Sequence, residues 1–353
     1  MSGQSERDAL KGRGARSNPA NRFERLSYER DEDFPDEERP QATRFYRDHS
    51  RSLIAYNSSP DISFDASINA YRGCEHGCTY CYARPFHEYL GFSAGLDFET
   101  RILVKEDAPA ILRRELSARS WVPQPIALSG ITDPYQPVER RLRLTRGILE
   151  VISEFRNPVQ IITKNELVLR DIDFLRPLAE VRAVNVMISI PSQESDLVRR
   201  LEPRTSIPER RMRTIETLAR EGIPTGIGLS PVIPGMTDRE IPALVSEAAA
   251  RGACYAVCIP LRLPHGVADL FTQWLEEFYP DRKDKVLARV REMRGGALND
   301  ARFGSRMRGE GVYVRQIMDL FRTACRKAGI DGEGPSLSAE AFRKPPDRQY
   351  SLF

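Results

Sequence analysis

A chain of 353 residues, 41% hydrophobic and 29% charged, holds enough material for one large soluble domain or two ordinary ones. Its net charge of +3 is too small to demand a polyanionic partner, and no run approaches the roughly 18 apolar residues of a membrane span. The opening MSGQSERDALKGRGARSNP lacks the apolar stretch of a secretory signal. The chain therefore reads as cytoplasmic, a setting where clustered cysteines serve as metal ligands or redox groups rather than disulfides.

Residues 1–55 are polar and charged, with little periodic hydrophobicity, and predict a largely disordered arm. From INAYRGC onward, short β-rich runs alternate with helical patterns, the signature of a parallel sheet. Strands are predicted at 68–73, 125–131, 159–164, 184–190, 225–233 and 255–261. Helices are predicted at 108–119, 142–155, 208–222 and 237–252 from apolar spacings of three and four. The third of these opens near Pro208 and stops on Gly222. The fourth starts with Thr237 and Glu240 in capping-box spacing. Six such units imply an open barrel-like core over 56–265, with its chemistry on the loops after the strands. Residues 266–335 read as a helical extension and 336–353 as a flexible tail. Cys254 and Cys258, four apart on the last strand, and Cys325 on a helical stripe are expected to be buried small hydrophobes.

The stretch YRGCEHGCTYCYARP places Cys74, Cys78 and Cys81 just past the first predicted strand, with no fourth cysteine in the run. A structural zinc site takes four ligands, and His76 or His87 could complete a Cys3His set. A four-iron cluster held by three cysteines leaves one iron open to bind a substrate.

The Cys-x3-Cys-x2-Cys spacing, with Tyr80 before Cys81, resembles the signature of the radical S-adenosylmethionine (radical SAM) superfamily. The longer run SPDISFDASINAYRGCEHGCTYCYARPFHEYLG, with SGITDPYQPVE, is similar to its bacterial branch related to spore photoproduct lyase. The resemblance spans about residues 40–330. It implies a partial (βα)6 barrel, a [4Fe-4S] cluster on Cys74, Cys78 and Cys81, and S-adenosylmethionine cleaved to a 5′-deoxyadenosyl radical. By the same resemblance the cofactor is contacted by Tyr80, Ser129, Gly130, Thr132, Lys164, Ser189 and Arg204. Gly226 and Gly228 would admit its adenine close to the backbone. A reductant such as flavodoxin or ferredoxin is implied as well.

On the substrate side, Asp133, Tyr135, Gln136 and Glu139 crowd the loop after the second strand, Tyr135 as a hydrogen-atom donor and Asp133 to orient a substrate. The lyase carries a cysteine before the serine that ends its second strand, whereas Leu128 precedes Ser129 here. The substrate is thus unassigned. The C-terminal Gln349-Tyr350-Ser351-Leu352-Phe353 resembles the peptide by which bacterial repair proteins dock on the replication sliding clamp. Arg294, Arg302, Arg306 and Arg308 could track a phosphate backbone. Together these favour DNA repair or modification, against modification of RNA or protein, or a non-catalytic metal-binding scaffold. Anaerobic reconstitution is expected to load iron and sulfide in equal amounts, with loss of both in Cys78→Ala; zinc without sulfide would identify the closed site instead.

Overall fold

A computed structural model of the chain describes residues 12–24, 42–62 and 64–345. In chain order its strands are β1 (Arg44–Arg47), β2 (Ile54–Tyr56), β3 (Ala66–Ile68), β4 (Tyr71–Arg72), β5 (Arg101–Val104), β6 (Ile126–Leu128), β7 (Val159–Thr163), β8 (Val184–Ser189), β9 (Thr225–Val232) and β10 (Tyr255–Pro260). The main sheet runs β10-β9-β8-β7-β6-β3-β2, with six parallel strands and β2 antiparallel at one edge. It is the predicted open β/α array. A small second sheet, β1-β5-β4, sits beside it.

The strands follow the β-branched runs because both faces are covered. Every residue of β8 is buried, as suits a central parallel strand. Helices Leu144–Phe155, Ile172–Glu180, Pro208–Arg220 and Ile241–Ala250 turn apolar faces to the core, among them Ile148, Leu149, Leu175, Met212, Ile215 and Leu244. Each such side chain contributes about 1.5–3 kcal/mol relative to exposure. Pro208 begins its helix as expected, and the left-handed Gly222 (φ 74°) ends it.

Several expectations change. The first predicted strand is split: Ala66–Ile68 joins the main sheet, while Tyr71–Arg72 pairs with β5. The capping box is not formed. Thr237 Oγ1 accepts from the Ile233 amide at 2.9 Å, while Glu240 accepts from Ser192 Oγ and the Gln193 amide. Residues 12–24 of the expected arm lie against the core, and 44–47 form a strand, because their polar groups find partners there. Cys325 is buried, but Cys254 is exposed at the start of its strand.

The extension joins the core instead of standing apart. Helices Val267–Phe278 and Pro280–Met293 pack Phe271, Trp274 and Val290 in one cluster with Cys78 and Tyr80. Helix Val312–Ala328 sends Ile317, Phe321 and Cys325 into the main core. The following segment crosses the N-terminal strand ends. Ala256 donates to the Asp331 carbonyl, Ser338 to that of Arg182, Arg343 to that of Phe155, and Lys344 Nζ to that of Ala118. Thus 336–345 of the expected flexible tail is seated, while Gln349–Phe353 lies outside the described residues. No helix among the described residues is long and apolar enough to cross a membrane.

On β9, a Cβ at Gly226 would fall 2.5 Å from the Tyr255 ring, so the glycine makes room for that side chain. Gly226→Ala is expected to lower stability by about 1–3 kcal/mol through overpacking, read from the urea midpoint.

Candidate metal and cofactor site

The cysteine loop lies past β4 and is held almost atom by atom. Cys74 donates its amide to the Phe98 carbonyl at 2.8 Å, Thr79 to that of Leu201, and Cys81 to that of Cys78. Gln136 brackets the loop, accepting from the Glu75 amide at 3.0 Å and donating to the Gly73 carbonyl at 3.2 Å. Glu75 accepts from the Val138 amide and from Arg204 Nη1 at 3.2 Å. Arg84 Nε donates to the Cys78 carbonyl at 2.9 Å. Helix Arg84–Leu90, of 3-10 type, carries the chain away from the loop.

All three thiols are free; Cys74 and Cys78 are buried and Cys81 half-buried. Burial pushes the Cys78 thiol far up, and neighbouring Glu202, Cys81 and Cys74 add to it against Lys164. Burial likewise raises the Cys81 thiol, so a bound cation's positive charge would favour the thiolates here. Among the described residues no three His, Cys, Asp or Glu side chains close on the space of a single ion. The two histidines offered for zinc sit in different surroundings. His87 packs against Phe92 and Phe98, and burial pulls its imidazole down to about 4. His76 lies 3.4 Å from Asp133 Oδ2 and 3.4 Å from Asn165 Nδ2. Burial opposes its protonation, but the Asp133 carboxylate, with a smaller part from Cys74, prevails and raises it to about 9.

The loops after β6 and β7 meet this one. Asn69 was not singled out by the sequence. Its Oδ1 accepts from the amides of Ile131 and Thr132, both at 3.1 Å, and so shapes the turn after β6. Ser129 and Gly130 have positive φ (154° and 125°), and a Cβ added at Gly130 would make ordinary contacts with Asn69 and Ser67 at 3.8 and 3.9 Å. The Thr132 hydroxyl faces the Tyr71 carbonyl at 3.3 Å. Asp133 accepts from Thr163 Oγ1 at 2.7 Å and the Lys164 amide at 2.8 Å. Burial disfavours the charged carboxylate, but His76, Lys164 and Thr163 outweigh that and hold the carboxyl at about 2. Asp133 thus braces β6 against β7, with its oxygens already engaged.

Lys164 is half-buried, with Glu202, Cys78 and Asp133 around its ammonium; burial opposes its charge, yet these neighbours, Glu202 foremost, raise it. Glu202, sealed from solvent, pairs with Arg211 at 2.5 Å and accepts from the Tyr80 hydroxyl. Tyr80 is therefore tied into the wall behind Cys81. Ser189 Oγ donates to the Ser230 carbonyl at 3.1 Å. Arg204 lies on Glu75, beside the cysteine loop.

Not every predicted residue faces the mouth. Tyr135 is wholly buried, its ring 5.9 Å from the Arg170 guanidinium, because its helix-side neighbours Asp171 and Glu139 enclose it. Glu139 accepts from Tyr71, Thr145 and Arg170. Gly226 is covered by Tyr255, and a Cβ at Gly228 would meet the Met187 sulfur at 3.2 Å. Arg294 is buried on the carbonyls of Pro260, Leu261, Ser305 and Arg306, which removes it from any phosphate track. Arg302 pairs with Asp300 and Glu310. The phenol that does reach the mouth is Tyr82: it is 42% exposed, donates to the Gly130 carbonyl, and carries the Arg262 guanidinium 4.5 Å from its ring centre. Its only signal in the sequence was its place after Cys81.

A family model described as the Radical SAM superfamily matches residues 68–248. An uncharacterized protein of Mycobacterium tuberculosis is 34% identical over 244 residues, 68% of this chain and 71% of that one. One of Methanocaldococcus jannaschii is 32% identical over 49% of this chain and 62% of its own length. Among solved structures, spore photoproduct lyase complexed with dinucleoside spore photoproduct aligns with a TM-score of 0.57 at 19% identity, covering 82% of this chain and 81% of that one. A double mutant of the lyase, with AdoMet also bound, aligns at 0.56 and 18% identity over 82% and 80%. These structural matches speak for the fold.

Arg211 and Glu202 give the test of the wall. Arg211→Met should destabilise the protein by about 3–5 kcal/mol by leaving a buried carboxylate unpaired, and Glu202→Gln in the same chain should recover much of the loss in a denaturant titration.

Proposed function

For this chain, which belongs to the radical SAM superfamily, we propose that its radical chemistry acts on DNA, in repair or modification. Enzymes of the family use a [4Fe-4S] cluster and S-adenosylmethionine, and together these supply a 5′-deoxyadenosyl radical. Cys74, Cys78 and Cys81 would hold the cluster. The backbone of Ser129, Gly130 and Thr132, shaped by Asn69, would receive the cofactor's amino group, and Lys164 and Arg204 its carboxylate. Ser189 would line the side of the ribose, with Tyr80 behind the cluster. Residues 56–265 carry these groups, and 266–335 cover them.

The observation that carries the DNA reading is a pair of arginine–aromatic stacks at the strand mouth. Arg262 lies on Tyr82 at 4.5 Å, just beyond β10, and Arg306, held by Asp61 and Ser59, lies on Phe303 at 4.5 Å. Phe303 is 62% exposed. Exposed rings beside guanidinium groups suit bases and phosphates. The fold-mate bound to a dinucleoside photoproduct supports the same class. Asp133 would act as a brace, with Tyr82 rather than Tyr135 the phenol facing substrate. Docking of the sliding clamp on Gln349–Phe353 and reduction by flavodoxin or ferredoxin complete the proposal.

Dithionite-reduced, anaerobically reconstituted protein is expected to release 5′-deoxyadenosine from S-adenosylmethionine, to lose this in Cys78→Ala, and to be stimulated by damaged duplex DNA. Stimulation by RNA or protein and not by DNA would overturn the substrate class. An intact cluster with no product under any condition would favour the scaffold.

A further inference from the structure

We infer that residues 12–24 are part of the metal site: they form a strap that closes the outer face of the cysteine loop, and Glu99 passes the strap's position to Cys78 through Arg84. This rests on Cys74, Cys78 and Cys81 as cluster ligands.

The link runs through a single carboxylate. Glu99 Oε2 accepts from the Gly14 amide at 3.0 Å, and Oε1 from the Ala15 amide at 2.8 Å. The same Oε1 pairs with Arg84 Nη2 at 2.5 Å, both side chains being sealed from solvent. Arg84 then reaches the Cys78 carbonyl. Strap and loop also touch backbone to backbone. A Cβ on Gly14 would sit 1.6 Å from the Gly77 carbonyl oxygen, and one on Gly77 would sit 2.7 Å from Glu99 Oε2. Gly77, with φ 67°, is in addition left-handed. Two glycines are what allow the crossing.

Beyond Ala15 the strap keeps to the segment that follows the triplet. The Ser17 carbonyl accepts from Leu96, Asn18 exchanges hydrogen bonds with Asp97, and Asn21 donates to the carbonyls of Glu88 and Phe92. Arg22 pairs with Glu88 at 2.6 Å. Arg16 forks onto Glu277 at 2.8 and 2.9 Å, which ties the strap to helix Val267–Phe278. Directed polar bonds of this kind fix a position, which apolar covering alone does not. Glu99 is thus a positioning residue for the cluster loop.

The test uses the full chain carrying Gly14→Ala, whose methyl group lifts the strap without entering the barrel core. In metal-free protein, labelling by a disulfide reagent is mapped by mass spectrometry, with exposed Cys254 as internal reference. Cys78 is expected to react about tenfold faster than in the parent, since opening of the strap no longer precedes modification. In the reconstituted protein the cluster's electron-paramagnetic resonance line shape is expected to shift, and iron to pass to a chelator about tenfold faster. The thermal transition should stay close to the parent's. Unchanged Cys78 labelling and an unchanged line shape overturn the inference. Should Gly14→Ala fail to fold, Asn18→Ala combined with Asn21→Ala releases the strap at its outer end and is read in the same way. A parent protein that binds no iron would refute the cysteine assignment instead, and labelling of the metal-free chain would still decide the strap.

Discussion

A guanidinium removed from water must use its donors or destabilise the fold, and Arg84 uses them on the carbonyls of Cys78, Ala94 and Gly95 and on Glu99. The desolvation of such a pair costs about several kcal/mol per ion, offset only by good geometry. Apolar residues would fill the space as well, but they could not hold the Cys78 carbonyl at a set distance. Arg211 does the same on the far side, joining the carbonyls of Ser189 and Ser206 to Glu202. Glu202 in turn holds Tyr80. The cysteine loop hangs between these two buried pairs. Its shape is set by charges that cannot move without being stranded, which is the preorganisation a metal loop needs.

Around this centre the chain closes on itself at both ends of the sheet. Residues 12–24 cross the face where the strands end. Residues 331–344 cross the face where they begin, bonding to the stretches just before β6, β7, β8 and β10. The open sheet thus gains from its termini part of what closure would otherwise supply. Two helices of the extension complete the enclosure by burying Trp274 and Phe271 against Cys78 and Tyr80.

What the sequence made legible was local. Six strands and most helices followed from runs of β-branched residues and from apolar spacing, and the cysteine triplet from three residues within eight positions. Orientation was less legible. Asp133, Tyr135, Gln136 and Glu139 lie together after β6, but composition does not tell which way a loop side chain turns, and Tyr135 and Glu139 turn inward. Thr237 and Glu240 had capping-box spacing, yet Glu240 found the better partners Ser192 and Gln193 nearly 50 positions away. The strap was invisible for the same reason: glycine, arginine and asparagine read as unstructured until Glu99 and Glu88, 60 to 90 positions on, are placed beside them. Asn69 carries no motif at all; its role comes from the turn it faces.

The Arg16–Glu277 fork has a consequence in time. Its two partners are 261 positions apart, so the strap can complete its docking only after helix Val267–Phe278 has been made. At a pace of synthesis of about 5–20 residues per second, the delay is on the order of tens of seconds. During that interval the Cys74–Cys81 loop has been made but is not yet shut in. Order of synthesis thereby leaves that loop open to solvent, and to whatever is delivered to it, until the strap can dock.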